Sequence, residues 1–229
     1  MAKIRPKIHF LCSACGDDFP KWYGQCPSCK EWGSLSEYKI SHKKNGRKLE
    51  TRESRSLASI LAQEPGTRIS TGLKEADRVL GGGLLSGSLL LLGGSPGVGK
   101  STLALHICAG IDRKAFYVSA EESEEQVGLR ARRLNVNSEH LHLSGENELD
   151  GIISHIERIS PDLVIIDSIQ TIMNSGLDSL PGSPSQLRDC GQRFLEVSKQ
   201  KGVIIMIIGH VTKEGTIAGP KMLEHMVDT

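Results

Sequence analysis

The chain predicts an α/β fold, a mostly parallel sheet wrapped by helices, preceded by a small four-cysteine module. Three observations predict it. Strand-length apolar runs alternate with helix-period segments from about residue 88 to residue 210. A glycine-rich turn, GGSPGVGKST, joins one of those runs to the helix after it. Four cysteines fall as two CxxC pairs in a stretch too poor in apolar side chains to form a core unaided.

The 229 residues suffice for one medium domain and a small appendage. Hydrophobic residues make up 38% and charged ones 24%, the proportions of an ordinary globular protein. A net charge of +1 conceals an asymmetry: residues 1–60 carry 12 Lys and Arg against 6 Asp and Glu, and the rest 16 against 21. Basic surface therefore belongs to the N-terminal portion, where nucleic acid would find its complement, although a solvated basic linker gives the same count. The longest apolar runs, 89–92 and 203–208, have strand length, so no membrane span is expected. MAKIRPKIHF lacks the apolar stretch of a secretory signal, and six cysteines without one point to the reducing cytoplasm.

Taking the elements in order, Cys12 and Cys15 form the first CxxC pair, Cys26 and Cys29 the second. A two-residue gap turns both thiolates of a pair toward one point, and two such knuckles make a closed tetrahedral sulfur site. Gly16 stands where the first knuckle needs a positive φ. Structural zinc is the expectation; four thiolates would also hold an iron–sulfur centre, and spacing does not separate the two. A redox dithiol is disfavoured, because no βαβ pattern surrounds either pair. Trp22, Tyr23 and Trp32 are expected to pack over this site, the alternative being platforms for base stacking. Cys108 and Cys190 fall on expected helices and read as small buried hydrophobes.

Residues 39–64 are polar and basic, with a short helix around 56–63, and read as a linker between a ribbon at 1–38 and a core at 65–229. A helical pattern over 73–80 stops at three glycines, 81–83, and 88–92 reads as a buried strand. Gly94, Ser95, Pro96, Gly97, Val98, Gly99, Lys100 and Ser101 then satisfy G-x4-GK[ST], with Thr102 opening a good helix. Glycines let the backbone curl so that several N–H groups face one phosphate at the positive end of that helix. Lys100 would add a point charge for the β- and γ-phosphates of ATP, and Ser101 a hydroxyl for Mg²⁺.

AFYVSAEESEEQVGLRARRLN runs from strand into helix. Glu121 at the strand end is a candidate to orient the attacking water, against the alternative of a helix-capping acid; for Glu122 and Glu124 the cap is preferred. An amphipathic helix is expected over 149–159, then a buried strand, 162–167, ending in Asp167. Parallel sheets bind ligands at the carboxyl ends of their strands, so Asp167 would face Mg²⁺ unless it merely caps the next segment. Residues 173–185 are too irregular for a regular element, 186–201 reads as a helix, and 202–210 as a strand whose polar end is His210.

The combined pattern TGL…D.VLGGGL..G…L.GG.PGVGKSTL, with Glu121, Asp167 and GHVTKEG, resembles the RecA-like P-loop ATPases. Adding the four-cysteine ribbon, the whole chain resembles the N-terminal half of the bacterial RadA (Sms) family of DNA-repair proteins. That resemblance implies a DNA-dependent ATPase that forms hexameric rings, binds single-stranded DNA and migrates branched recombination intermediates. It gives Lys100 and Ser101 the P-loop roles, Asp167 the metal role and Glu121 the water-orienting role. His210 becomes a sensor of the γ-phosphate, and residues 212–220, with Lys213, and 173–185 become DNA-contacting loops, the alternative being simple connectors. A recombinase or a replicative helicase is an implied partner. The family continues with a KNRFG motif and a Lon-like domain, so the chain reads as truncated inside its ATPase sheet, with an exposed edge.

Two other functions compete. A nucleotide-switched adaptor would grip a helicase or recombinase through the ribbon without DNA-stimulated hydrolysis. A KaiC-like kinase shares the P-loop and the glycine triplet but has no use for the ribbon.

Overall fold

A computed structural model of the chain describes residues 7–14, 16–40, 54, 56–61, 68–177, 179–210 and 223–229. Near the N-terminus, β1 (Lys7–Cys12), β2 (Asp18–Phe19) and β3 (Leu35–Ile40) form an antiparallel sheet in the order β2-β1-β3. Its apolar content is slight: Phe10 lies opposite Phe19, and both pack with Leu35, Cys12 and Cys26. So little buried area is scant for a module that must hold its own shape.

The main body follows α1 (Leu57–Leu61) and α2 (Lys74–Val79). Its elements are β4 (Leu89–Gly94), α3 (Lys100–Gly110), β5 (Ala115–Ser119), α4 (Glu124–Arg133), β6 (Leu141–Ser144) and α5 (Leu149–Ile159). Then come β7 (Leu163–Asp167), a 3-10 turn (Ile169–Thr171), α6 (Pro184–Lys201) and β8 (Ile204–His210). All four neighbouring pairs in the sheet β4-β8-β7-β5-β6 are parallel. This is the expected α/β, RecA-like architecture with the cysteine ribbon ahead of it.

The central strands are apolar throughout because both of their faces are covered. Leu89, Phe116, Val118, Val164, Ile166, Ile205 and Ile207 point toward α5 and α6, meeting Ile152, Ile156, Leu187 and Phe194. Leu90, Ala115, Tyr117, Leu163, Ile165, Ile204 and Met206 point the other way, toward α3 and α4, meeting Ala104, Leu105, Cys108 and Val127. Cys108 and Cys190 are buried, and burial pushes each thiol up to about 12, so both behave as the small hydrophobes expected.

Helix α5 has the expected bounds, and α6 starts two residues earlier than expected, at Pro184, with the Ser183 hydroxyl capping it. Strand β6 was not expected: LHLS is too short to show a period, and it sits at the sheet edge. Two further expectations are corrected. Glu122 does not cap α4; Ser123 does, in a reciprocal capping box with Gln126, while Glu122 accepts from Arg130. Nor is the outer edge of β4 left bare, because Asp228 N donates to Leu89 O at 2.8 Å and Leu91 N donates to Thr229 O at 2.9 Å.

Candidate active site and metal centre

Between β4 and α3 the chain turns within residues 94–100, and the turn depends on glycine. Gly97 has φ 79° and Gly99 φ 101°, values that an L side chain rarely adopts, and a Cβ added at either would meet no atom within 4 Å. The turn is therefore open to solvent at the N-terminus of α3, the positive end of an 11-residue helix. Lys100 is only 7% exposed, and its ammonium donates to Gly94 O at 2.8 Å and Ser95 O at 3.0 Å. Among the described residues it has no carboxylate partner. A buried cation held by carbonyls of its own loop suits an anionic guest, so the residues present fit a phosphate chain.

Asp167 ends β7 and pairs in register with Ser119 at the end of β5. Side chains alternate along a strand, so Asp167 shares a face with Ile165 and Tyr117, the face that carries α3. The carboxylate and Ser101, second residue of α3, thus belong to the same side of the sheet and to its carboxyl end. Asp167 is 8% exposed and accepts a short hydrogen bond from the fully buried Tyr117 hydroxyl. Burial, reinforced by the Asp167 charge, pushes that hydroxyl far above its usual range, so it stays protonated and donates. Sequence reasoning passed over Tyr117; the signal for it was one phenol in the otherwise apolar AFYV.

Glu121 follows β5, and its carboxylate accepts from the Ser168 hydroxyl and lies 3.1 Å from His210 Nε2. His210 closes β8 beside Gly94 of β4, so three strand ends and the glycine turn converge here. His210 Nδ1 is buried and has no hydrogen-bond partner among the described residues. Ser168 was likewise not anticipated. The described residues of 173–183 contain no α-helix and no strand, but they are anchored. The buried Gln186 donates from Nε2 to Asn174 O at 3.1 Å and to Ser179 O at 2.9 Å, and Asn174 Nδ2 donates to Asp189 at 2.7 Å. Leu180 stands exposed on that loop. The other expected DNA-contacting segment, 212–220 with Lys213, and the basic run of the linker lie outside the described residues.

In the ribbon, the sulfur atoms of Cys12, Cys26 and Cys29 lie within 4.8 Å of one another, and Cys12 Sγ is 3.6 Å from Cys29 Sγ. Tetrahedral zinc with bonds of about 2.3 Å sets its sulfurs roughly 3.8 Å apart, so these three fit one ion. Cys15 lies outside the described residues. Gly16, with φ 81°, donates to Cys12 O at 2.9 Å, and Lys30, with φ 64°, donates to Cys26 O at 3.0 Å. The two knuckles are thus built alike. The aromatics meet the expectation only in part: Tyr23 packs edge-on against Phe19, ring centroids 5.8 Å apart, while Trp22 is 60% exposed and Trp32 73%. Phe10, Phe19 and Leu35 fill the small interior, and both indoles approach Gly24, Trp32 at 3.6 Å and Trp22 at 3.7 Å from where its Cβ would be. The ribbon rests on α6, where Arg188 Nη1 donates to Asp18 Oδ1 at 3.2 Å and His9 lies 3.0 Å from Asp18 Oδ2.

Comparison with known proteins agrees with this anatomy. The family described as an AAA domain matches residues 60–216, and the rubredoxin metal-binding domain matches residues 10–37. The chain is 44% identical to the DNA repair protein RadA of Bacillus subtilis over 238 positions, covering 100% of this chain and 52% of that protein. It is 43% identical to RadA of Listeria monocytogenes, covering 100% and 51%, and 45% identical to RadA of Rickettsia bellii, covering 98% and 51%. The chain therefore spans about half the length of the relatives it matches. Among the described residues, no helix is long and apolar enough to cross a membrane.

Proposed function

The chain belongs to the AAA-domain family that includes the RadA DNA-repair proteins, and from that premise we propose that it is a DNA-dependent ATPase of recombinational repair. It binds single-stranded DNA and processes branched intermediates, in the cytoplasm and within a homo-oligomeric ring, alongside a recombinase or replicative helicase. Residues 1–38 are the ribbon, 39–64 the linker and 65–229 the ATPase core. One observation carries the reading: the glycine turn with its buried Lys100, Asp167 on the α3 face and the Glu121–His210 pair all lie at one end of one sheet.

The roles follow from chemistry. The turn from Gly94 to Ser101, with Thr102 behind it, wraps the triphosphate of ATP, and Lys100 exchanges its carbonyls for phosphate oxygens. Ser101 and Asp167 hold Mg²⁺, which when bound neutralises charge on the β- and γ-phosphates. Glu121 orients water toward the γ-phosphate. For that its carboxylate must exchange Ser168 and His210 for the water, which frees His210 to touch the phosphate. Cys12, Cys15, Cys26 and Cys29 hold Zn²⁺, which supplies the ribbon's folding energy.

The test is ATP turnover with and without single-stranded DNA, in the native protein and in Lys100→Ala. Stimulation by DNA and its loss in the variant are expected; unchanged turnover in Lys100→Ala defeats the proposal. The adaptor reading keeps one observation in its favour, the exposed Trp22, Tyr23 and Trp32 on the ribbon. Aromatic anchors of this kind are common at protein interfaces. Hydrolysis indifferent to DNA would select it.

A further inference from the structure

Strand β5 reads Ala-Phe-Tyr-Val-Ser, and Tyr117 is fully buried at its centre. Its neighbours on that face are apolar: Ala104, Leu105, Cys108, Val127 and Ile165. A phenol in such surroundings loses its water and needs a protein acceptor. The acceptor is Oδ2 of Asp167, on the adjoining strand. No other hydrogen bond to the Asp167 carboxylate is found among the described residues, so one oxygen is fixed and Oδ1 is left over. Phenylalanine would fill the same volume, and the packing alone gives no reason for a hydroxyl here.

We propose that Tyr117 is a positioning residue for the divalent cation: its buried hydroxyl grips Asp167 Oδ2 and thereby fixes the carboxylate that presents Oδ1 to magnesium. Groups that hydrogen-bond a metal ligand hold its rotamer and tune its affinity, and their loss typically costs about 10–100-fold in metal binding. The inference rests on the reading of Asp167 as the magnesium ligand and deepens it.

The experiment titrates Mg²⁺ into the protein with a fluorescent ATP analogue and reads nucleotide affinity, beginning in EDTA, for the native chain, Tyr117→Phe, Asp167→Asn and the double variant. Tyr117→Phe should bind the analogue like the native chain in EDTA but need at least about tenfold more Mg²⁺ for half-maximal enhancement. Asp167→Asn should lose most of the enhancement, and adding Tyr117→Phe to it should change nothing further. A Mg²⁺ midpoint within twofold of native in Tyr117→Phe overturns the role of Tyr117. A further loss in the double variant also overturns it, since the phenol would then act by another route. A native-like titration in Asp167→Asn instead overturns the underlying assignment of Asp167. Melting temperatures measured without nucleotide identify any variant that is merely unfolded. Should Tyr117→Phe be unfolded, Tyr117→Met is titrated in its place, and the same Mg²⁺ midpoint criterion decides the question.

Discussion

Replacing Lys100 by methionine separates what the lysine does for the fold from what it does for a ligand. Methionine keeps the aliphatic stem and removes a charge that is only 7% exposed. That charge is satisfied by two carbonyls, at 2.8 Å and 3.0 Å. Each charge-assisted hydrogen bond is worth about 1.5–3 kcal/mol. Two such bonds to phosphate would supply about 3–6 kcal/mol, but the lysine must first give up its carbonyls, so the lower figure governs. At 1.4 kcal/mol per decade, about 3 kcal/mol is roughly a hundredfold loss of affinity for ATP with magnesium. Burying an ammonium costs free energy, and the orphaned carbonyls of Gly94 and Ser95 lie where water reaches them, so the empty protein should melt no lower than native. The assay pairs a fluorescent-nucleotide titration with thermal unfolding in EDTA. An affinity within threefold of native, or a melting point several degrees lower without nucleotide, would refute the reasoning, because Lys100 would then be a structural residue.

Four other perturbations probe different parts of the molecule. Cys26→Ser should abolish metal binding, seen by elemental analysis as about one zinc per native chain and none in the variant, with nucleotide binding retained; zinc still bound at full occupancy would contradict the ribbon assignment. Phe194→Ala empties a fully buried position between α6 and the sheet and should cost about 3–5 kcal/mol in chemical denaturation; a loss below about 1 kcal/mol would show that the site collapses freely. Ser123→Ala removes the hydroxyl half of a capping box, leaving the backbone N–H at 123 able to donate to Gln126 Oε1, and should cost about 1 kcal/mol, with α4 amides exchanging faster. Asp77 accepts hydrogen bonds from the Ser70 hydroxyl and from the amide and hydroxyl of Thr71, which hold its carboxyl below the usual 3.8. A depressed folded value means that its stabilisation is complete above about pH 4 and fades as pH falls through that lower midpoint. Carbon-13 titration of Asp77 should give a midpoint below that of an unfolded peptide; an equal one would remove the claim.

The framework was legible where a physical requirement leaves a long or rigid trace. The glycine turn could be read because positive φ at 97 and 99 demands glycine, and α5 because eleven residues display a full amphipathic period. Apolar β7 and β8 announced a doubly covered sheet. Strand β6, at four residues, falls below the length at which a period means anything. For the two tryptophans the packing expectation failed for a volumetric reason: Phe10, Phe19 and Leu35, with Tyr23 against Phe19, already fill the ribbon's interior, and no sequence rule counts that space. Tyr117 and Ser168 escaped because their importance comes from partners 50 and 47 residues away, Asp167 and Glu121. Only register across the sheet brings them together.

Helix α6 is attached, among other places, to three parts of the molecule that matter here. Arg188 reaches outward to Asp18 of the ribbon, Gln186 and Asp189 grip the irregular loop before the helix, and Leu187 and Phe194 press upward beneath the strands. One eighteen-residue helix therefore touches the cysteine module, the irregular loop and the underside of the sheet that holds β7 and β8, whose tips carry Asp167 and His210.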